Sequence, residues 1–335
     1  MKLIFVLALV NFFLNSHSKA ADLTSDFHRI YNQKAELTKT ETEVLKNFDF
    51  YFIPGILAES FIWADKRSYI DLSLVTRDYF STQVRFLKDK YKFTSKRLTT
   101  SSKDVEETRQ NIRAVLEDSI KTERKPIFIS HSLGGLALLE ELINNNKYQS
   151  AVAGIIFLQS PFYGSSLADL TMEAPYQLEK YIKPLLPYLN ISEGTMDYLR
   201  PRSRTPFMDK NQTAIKELVD RVPVVTVSGV ANDSASIFKP LLEIMEEGCI
   251  RKIITPGCLT GTIFKGPYDK GDGMVPLKSS YLGSADSVTL DEVDHGEMVL
   301  NIPFETYSKE HTTTTLLRLI LPKLSPKNSN LVFNL

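Results

Sequence analysis

A serine hydroxyl attacks only when a base can take its proton and the backbone holds it clear of its own chain. Ser132 stands where both conditions can be met. It is the centre of Ser130-His131-Ser132-Leu133-Gly134-Gly135, which follows the short, β-branched apolar run 126–129. After it, Leu136, Leu138, Leu139 and Leu142 recur at helical spacing. Strand, tight turn and helix form the setting in which a G-x-S-x-G pattern works, because residues two before and two after the serine must be small. Here Ser130 replaces the first glycine and Gly134 fills the second position. The hydroxyl would then stand at the top of a sheet beside the positive end of a helix. The same residues could also make an ordinary βα turn with a serine cap. Partners decide between the two.

The base is sought among five histidines. His17 lies in the apolar N-terminal segment and His28 in a polar leader. His131 adjoins the serine, where neighbours in a tight turn are expected to point apart. His311 falls in a helical stretch before a run of threonines. His295 remains, on a loop after the last strand pattern, in the order serine, acid, histidine. For the carboxylate that orients the imidazole, Asp272 sits in Gly271-Asp272-Gly273-Met274-Val275-Pro276, where flanking glycines free it to aim. Asp233, just beyond the strand ending at Gly229, is the alternative. Asp291 and Asp294 read as solvent-facing.

The elements that must position these residues alternate between strand and helix. Strand patterns occupy 48–53, 93–98, 126–129, 152–158, 222–229 and 287–290. Helical patterns occupy 79–91, 105–120, 133–144 and 307–321, with Val105, Ile112, Val115, Leu116 and Ile120 near one face of the second. That alternation predicts an α/β fold with a mostly parallel central sheet flanked by helices, and ligands bound beyond the carboxyl ends of its strands. Two insertions interrupt it. Residues 163–210 carry five prolines among Leu, Tyr and Met and read as short broken helices over the active face; residues 234–270 hold both cysteines. No boundary splits residues 21–335, so they form a single domain.

Composition bounds the rest. At 335 residues, 43% hydrophobic and 24% charged, the chain can build a substantial core without staples. Lys plus Arg balances Asp plus Glu at 40 each, with no basic stripe interleaved with aromatics, so no nucleic-acid partner is expected. No cofactor or metal motif stands out. Residues 1–20 have a positive start, a short apolar core broken by Asn11, and small residues at Ser18 and Ala20. These are the marks of an export signal cleaved after Ala20, and place the protein in a periplasm or outside the cell. Its removal takes Lys2 and Lys19 and no acid. In such a compartment Cys249 and Cys258 are expected to form one local disulfide.

Taken in order, residues 52–57, 130–135, 160–165, 227–229, 271–276 and 294–295 resemble the bacterial secreted lipases and related α/β-hydrolases such as the lecithin–cholesterol acyltransferase group. The resemblance covers about 48–321. It implies an α/β-hydrolase fold, a Ser132–His295–Asp272 triad, and an oxyanion hole built from the backbone N–H groups of Ile56 and Leu133. It also implies carboxylic ester hydrolysis through an acyl-enzyme, with phospholipase or lipid acyltransferase action, or a non-catalytic binding protein on this scaffold, as alternatives. Leu167, Leu170, Met172, Leu178, Tyr181, Ile182, Leu185, Leu186 and Tyr188 could line a lid that meets a lipid-like substrate or a membrane surface, or could simply pack in the core. Many of these lipases hold a structural Ca²⁺, for which Asp233 and Glu297 could offer oxygens. This chain departs from them at Pro54 and Ser130, where His and Gly are usual. No oligomeric state is implied.

Overall fold

A computed structural model describes residues 20–34, 36–56, 79–165, 168–169, 172, 191–231, 270–301 and 305–324. Strands β1 (Asp49–Ile53), β2 (Thr94–Arg97), β3 (Pro126–His131), β4 (Gly154–Leu158), β5 (Val224–Val230) and β6 (Asp286–Asp291) form one sheet. Its order is β2-β1-β3-β4-β5-β6, and every neighbouring pair is parallel. The helices are α1 (Thr24–Asn32), α2 (Lys39–Leu45), α3 (Ser81–Tyr91), α4 (Val105–Thr122), α5 (Leu133–Asn144), α6 (Glu193–Tyr198), α7 (Pro201–Arg221) and α8 (Lys309–Leu324). None among the described residues is long and apolar enough to cross a membrane.

Strand periodicity builds the layers. Phe50, Phe52, Ile127, Ile129, Ile156, Leu158, Val225 and Val227 face one way, against α1, α3 and α8. Tyr51, Ile53, Phe128, Ile155, Phe157 and Val224 face the other, against α4, α5 and α7. Alternate residues of a strand point to opposite faces, so a parallel sheet buried on both sides needs this unbroken apolar run. The central helix α5 is buried along its length, including Glu140 and Glu141. Glu141 receives both Nε and Nη2 of Arg113 at 2.9 Å.

Three readings of the sequence change. The polar leader is part of the core: Phe27, Ile30 and Leu45 are buried, and Glu41 of α2 accepts Arg318 Nε of α8 at 2.9 Å. In α4 the buried face is Thr108, Ile112, Leu116 and Ser119, whereas Ile120 is 51% exposed. The proline-rich 201–210 segment is not broken: α7 runs unbroken to Arg221. Pro201 occupies the first helical position, where its missing N–H is not needed. Pro206 follows within the next turn, and the buried contacts of Arg204 hold this end in place.

Arg204 is only 1% exposed, its guanidinium 4.7 Å from the Tyr198 ring and 4.6 Å from the Phe207 ring. Its Nη1 donates to Glu140 Oε1, which also accepts the Tyr198 hydroxyl at 2.7 Å. This ties α6 and α7 to the helix that follows Ser132. Removing one partner of such a pair strands a buried charge, at a cost of about 3–5 kcal/mol. Glu140→Gln is therefore expected to destabilise the fold by several kcal/mol, roughly within that range, measured as a drop in the urea midpoint.

Candidate active site

At Ser132 the chain passes from β3 to α5 in one residue, with φ 52° and ψ −127°. This is sparsely populated backbone for a residue with a Cβ, and it is held by what surrounds it. A Cβ on Gly134 would stand 2.3 Å from the Pro54 carbonyl, and one on Gly135 would stand 2.0 Å from Ser160 Oγ. One on Gly55 would lie 2.6 Å from Ser132 Cβ. The turn after β1 and the end of β4 therefore press directly on the serine turn. Ser130, the residue in the first glycine position, is fully buried in β3 between Ile53 and Phe157.

His295 Nε2 lies 3.0 Å from Ser132 Oγ, and its Nδ1 lies 2.8 Å from Asp272 Oδ2. All three residues are buried. Asp272 is aimed by its own turn. Its Oδ1 accepts the N–H groups of Met274 at 3.0 Å and Val275 at 2.7 Å, with Gly273 at φ +92°. That leaves Oδ2 for the imidazole. The His295 N–H donates to the Asp272 carbonyl at 2.9 Å, so backbone as well as side chain joins acid and base loops. Gly229, at the end of β5, makes room for both: a Cβ there would meet Val293 O at 2.7 Å and Asp272 Cβ at 3.2 Å.

The structure thus brings Ser132, His295 and Asp272 together. Leu133 opens α5, where first-turn N–H groups lack intrahelical partners. Ile56 follows the Gly55 turn that touches Ser132, partly buried against the core. Asp294 is not solvent-facing but buried; its Oδ1 caps the N–H groups of Gly296 at 2.8 Å and Glu297 at 2.9 Å. Asp291 is exposed at the end of β6. His28 and His311 lie among Phe27, Tyr31 and Tyr307, away from the serine. Asp233, Cys249, Cys258 and the candidate lid residues other than Met172 lie outside the described residues. Glu297 turns Oε1 to the Thr306 and Tyr307 N–H groups, and no cluster of three metal-ligating side chains occurs among the described residues.

One expectation fails. His131 does not point away: its ring lies 4.5 Å from that of His295. Because it belongs to β3 rather than to the turn, its side chain follows the strand's alternation. The Tyr79 hydroxyl accepts the Gly55 N–H at 2.9 Å and lies 2.5 Å from His131 Nδ1. Burial, reinforced by His295, pushes the His131 pKa well below the usual histidine range. Burial also raises that of Tyr79, so the phenol keeps its proton.

Sequence reasoning also missed Gln159 and the reason for the 160–165 motif. Gln159, at φ 48°, donates from Nε2 to the Asp294 carbonyl at 2.9 Å and so anchors the histidine loop. Ser165 Oγ donates to the Met274 carbonyl at 2.5 Å, and Ser279 Oγ to the Gly164 carbonyl at 2.6 Å. The motif after β4 braces the acid turn.

Among solved structures, the chain is similar to a carboxyl esterase of metagenomic origin, with TM-score 0.58, 15% identity, and 83% of this chain and 76% of that one covered. It is also similar to a Bacillus licheniformis lipase in its mature form, with TM-score 0.53, 19% identity, and coverage of 84% and 93%. The fold is that of the α/β-hydrolases. No family model and no curated protein sequence matches the chain. In an α/β-hydrolase the serine elbow ends a strand, and here Asp272 and His295 also stand at the carboxyl edge of the parallel sheet.

Two outcomes follow from this geometry. Tyr79→Phe leaves serine, imidazole and acid in place but frees the Gly55 turn. The rate of Ser132 phosphonylation by a fluorophosphonate is expected to fall about tenfold or more, with the circular dichroism spectrum unchanged. Glu297 has its pKa raised, first by burial and further by Asp294, against the opposing N–H of Thr306. A carboxyl that binds its proton more tightly when folded favours the fold at low pH and weakens it as pH rises above about 4.5. Glu297→Gln keeps an acceptor without the charge, so it is expected to raise stability at pH 7. The gain should vanish in acid, read from urea melts at both pH values.

Proposed function

We propose that this protein is an exported serine hydrolase that cleaves carboxylic esters with an apolar acyl chain. The observation that carries the reading is the Ser132–His295–Asp272 chain, with contacts of 3.0 and 2.8 Å. A hydroxyl paired with an imidazole, which is paired with a buried carboxylate, is the arrangement that activates serine for acyl transfer. Structural likeness to an esterase and a lipase supports the ester class.

Chemistry follows from the geometry. Ser132 Oγ gives its proton to His295 Nε2 and adds to the ester carbonyl. Asp272 holds Nδ1–H and stabilises the imidazolium. The N–H groups of Leu133 and Ile56 would receive the developing oxyanion, where fixed backbone dipoles cost no reorganisation. His295 then protonates the leaving alcohol. Water activated by the same imidazole releases the acid from the acyl-enzyme. His131 stays neutral beside it, because two imidazolium rings at 4.5 Å would repel.

The preference for an apolar acyl group rests on composition: residues 167–188 are rich in Leu, Ile, Met and Tyr, which suits a cover over a greasy chain and contact with a lipid surface. Export rests on residues 1–20, and a Cys249–Cys258 disulfide is consistent with the oxidising compartment it leads to. Ser132→Ala is expected to lower kcat for p-nitrophenyl butyrate by about 10⁴-fold or more, and Asp272→Asn by up to about 10⁴-fold. Full turnover by a folded Ser132→Ala protein would overturn the assignment.

A further inference from the structure

The outer edge of β6 is covered by the start of the described chain. Ser287 N–H donates to the Ala21 carbonyl at 2.9 Å, and Leu23 N–H to the Ser287 carbonyl at 2.7 Å. Asp22 pairs with Ser287 as a parallel bridge, and Thr289 N–H donates to Thr24 Oγ1 at 2.9 Å. An open strand edge offers unpaired backbone groups to other chains, and these few residues close it. At the first of them, the Ala21 nitrogen lies 3.1 Å from Asp286 Oδ1. Asp286 is 4% exposed, and its other oxygen accepts Lys323 Nζ.

We propose that Ala21 is the first residue of the mature protein and that its α-ammonium forms an ion pair with the buried Asp286 carboxylate. The inference rests on the proposed cleavage after Ala20 and not on the catalytic reading. The bond in question is accessible: Ala20 and Ala21 are both exposed. Ser18 and Ala20 supply the small residues that a signal peptidase reads. Hydrolysis puts the oxygen of water into the new Ala20 carboxylate and both its hydrogens on the Ala21 nitrogen, giving a carboxylate and an ammonium. Before cleavage that nitrogen is a neutral amide with one hydrogen to give. Afterwards it carries a full charge already within hydrogen-bond distance of a carboxylate. A charge-assisted bond is roughly twice as strong as a neutral one. Processing thus strengthens an interaction that fastens the N-terminus to the sheet edge.

The test begins with the full chain expressed with export, purified and weighed intact; a mass starting at Ala21 is expected, and any other start overturns the proposal. Urea melts then compare the chain beginning at Ala21 with one carrying a single extra glycine before it, each with and without Asp286→Asn. The substitution is expected to reduce the folding equilibrium constant at least tenfold more in the Ala21 chain than in the glycine-extended one. Equal losses in the two backgrounds overturn the ion pair even if the start is correct. Should the Asp286→Asn chains not fold, the two wild-type melts decide: a lower midpoint for the extended chain is expected, and equal midpoints overturn the pair. Ester hydrolysis is expected to be the same in all folded forms, so the outcome is independent of the triad.

Discussion

Ser132 turns the chain from strand to helix at φ 52°, a conformation an L-residue holds only when its neighbours over-determine it. Those neighbours come from across the sheet. Ile53 and Pro54 crowd Gly134, Ser160 crowds Gly135, and Ser132 itself crowds Gly55. Each contact is possible because one partner lacks a side chain. The consequence runs both ways. Packing of β1, β3 and β4 holds the serine in place, and the serine turn fixes how closely those strands' carboxyl ends approach one another.

The proposed base and acid, His295 and Asp272, obey a second constraint: both lie on loops, which are the least rigid places in a fold. The molecule answers with hydrogen bonds at almost every step. Asp272 caps its own turn, Asp294 caps the next, Gln159 reaches from β4 to the Asp294 carbonyl, and Ser165 reaches to Met274. These bonds leave Asp272 one oxygen and His295 one direction. A catalytic constellation loses rate steeply with displacement, so loop residues in a triad need such a frame.

Much of this was legible in residue order. Ser132, His295 and Asp272, which the structure brings together, are marked by small-residue turns, and the strands by apolar runs, because those patterns are local consequences of backbone geometry. What was not legible is non-local. Nothing near Tyr79 says that its hydroxyl meets Gly55 and His131, since 24 and 52 residues separate them. Asp294 looked solvent-facing because a lone Asp in a polar loop usually is; only the packing of the His295 loop buries it. The leader looked polar because its core contacts, Phe27, Ile30, Leu37 and Leu45, are few among many polar residues. Pro206 looked like a break because local rules do not see Glu140 waiting for Arg204.

His131 shows what the missed contacts accomplish. A base that becomes an imidazolium during the reaction cannot share its surroundings with a second titrating imidazole. Burial keeps His131 neutral, and its Nδ1 lies 2.5 Å from the Tyr79 hydroxyl, so the residue beside His295 brings no second charge. The same Tyr79 oxygen accepts the N–H of Gly55, one residue before the proposed oxyanion donor Ile56. A single phenol therefore links the turn proposed to receive negative charge to the ring packed against the group proposed to receive positive charge. The two developing charges of the proposed reaction are then joined through Tyr79 and His131.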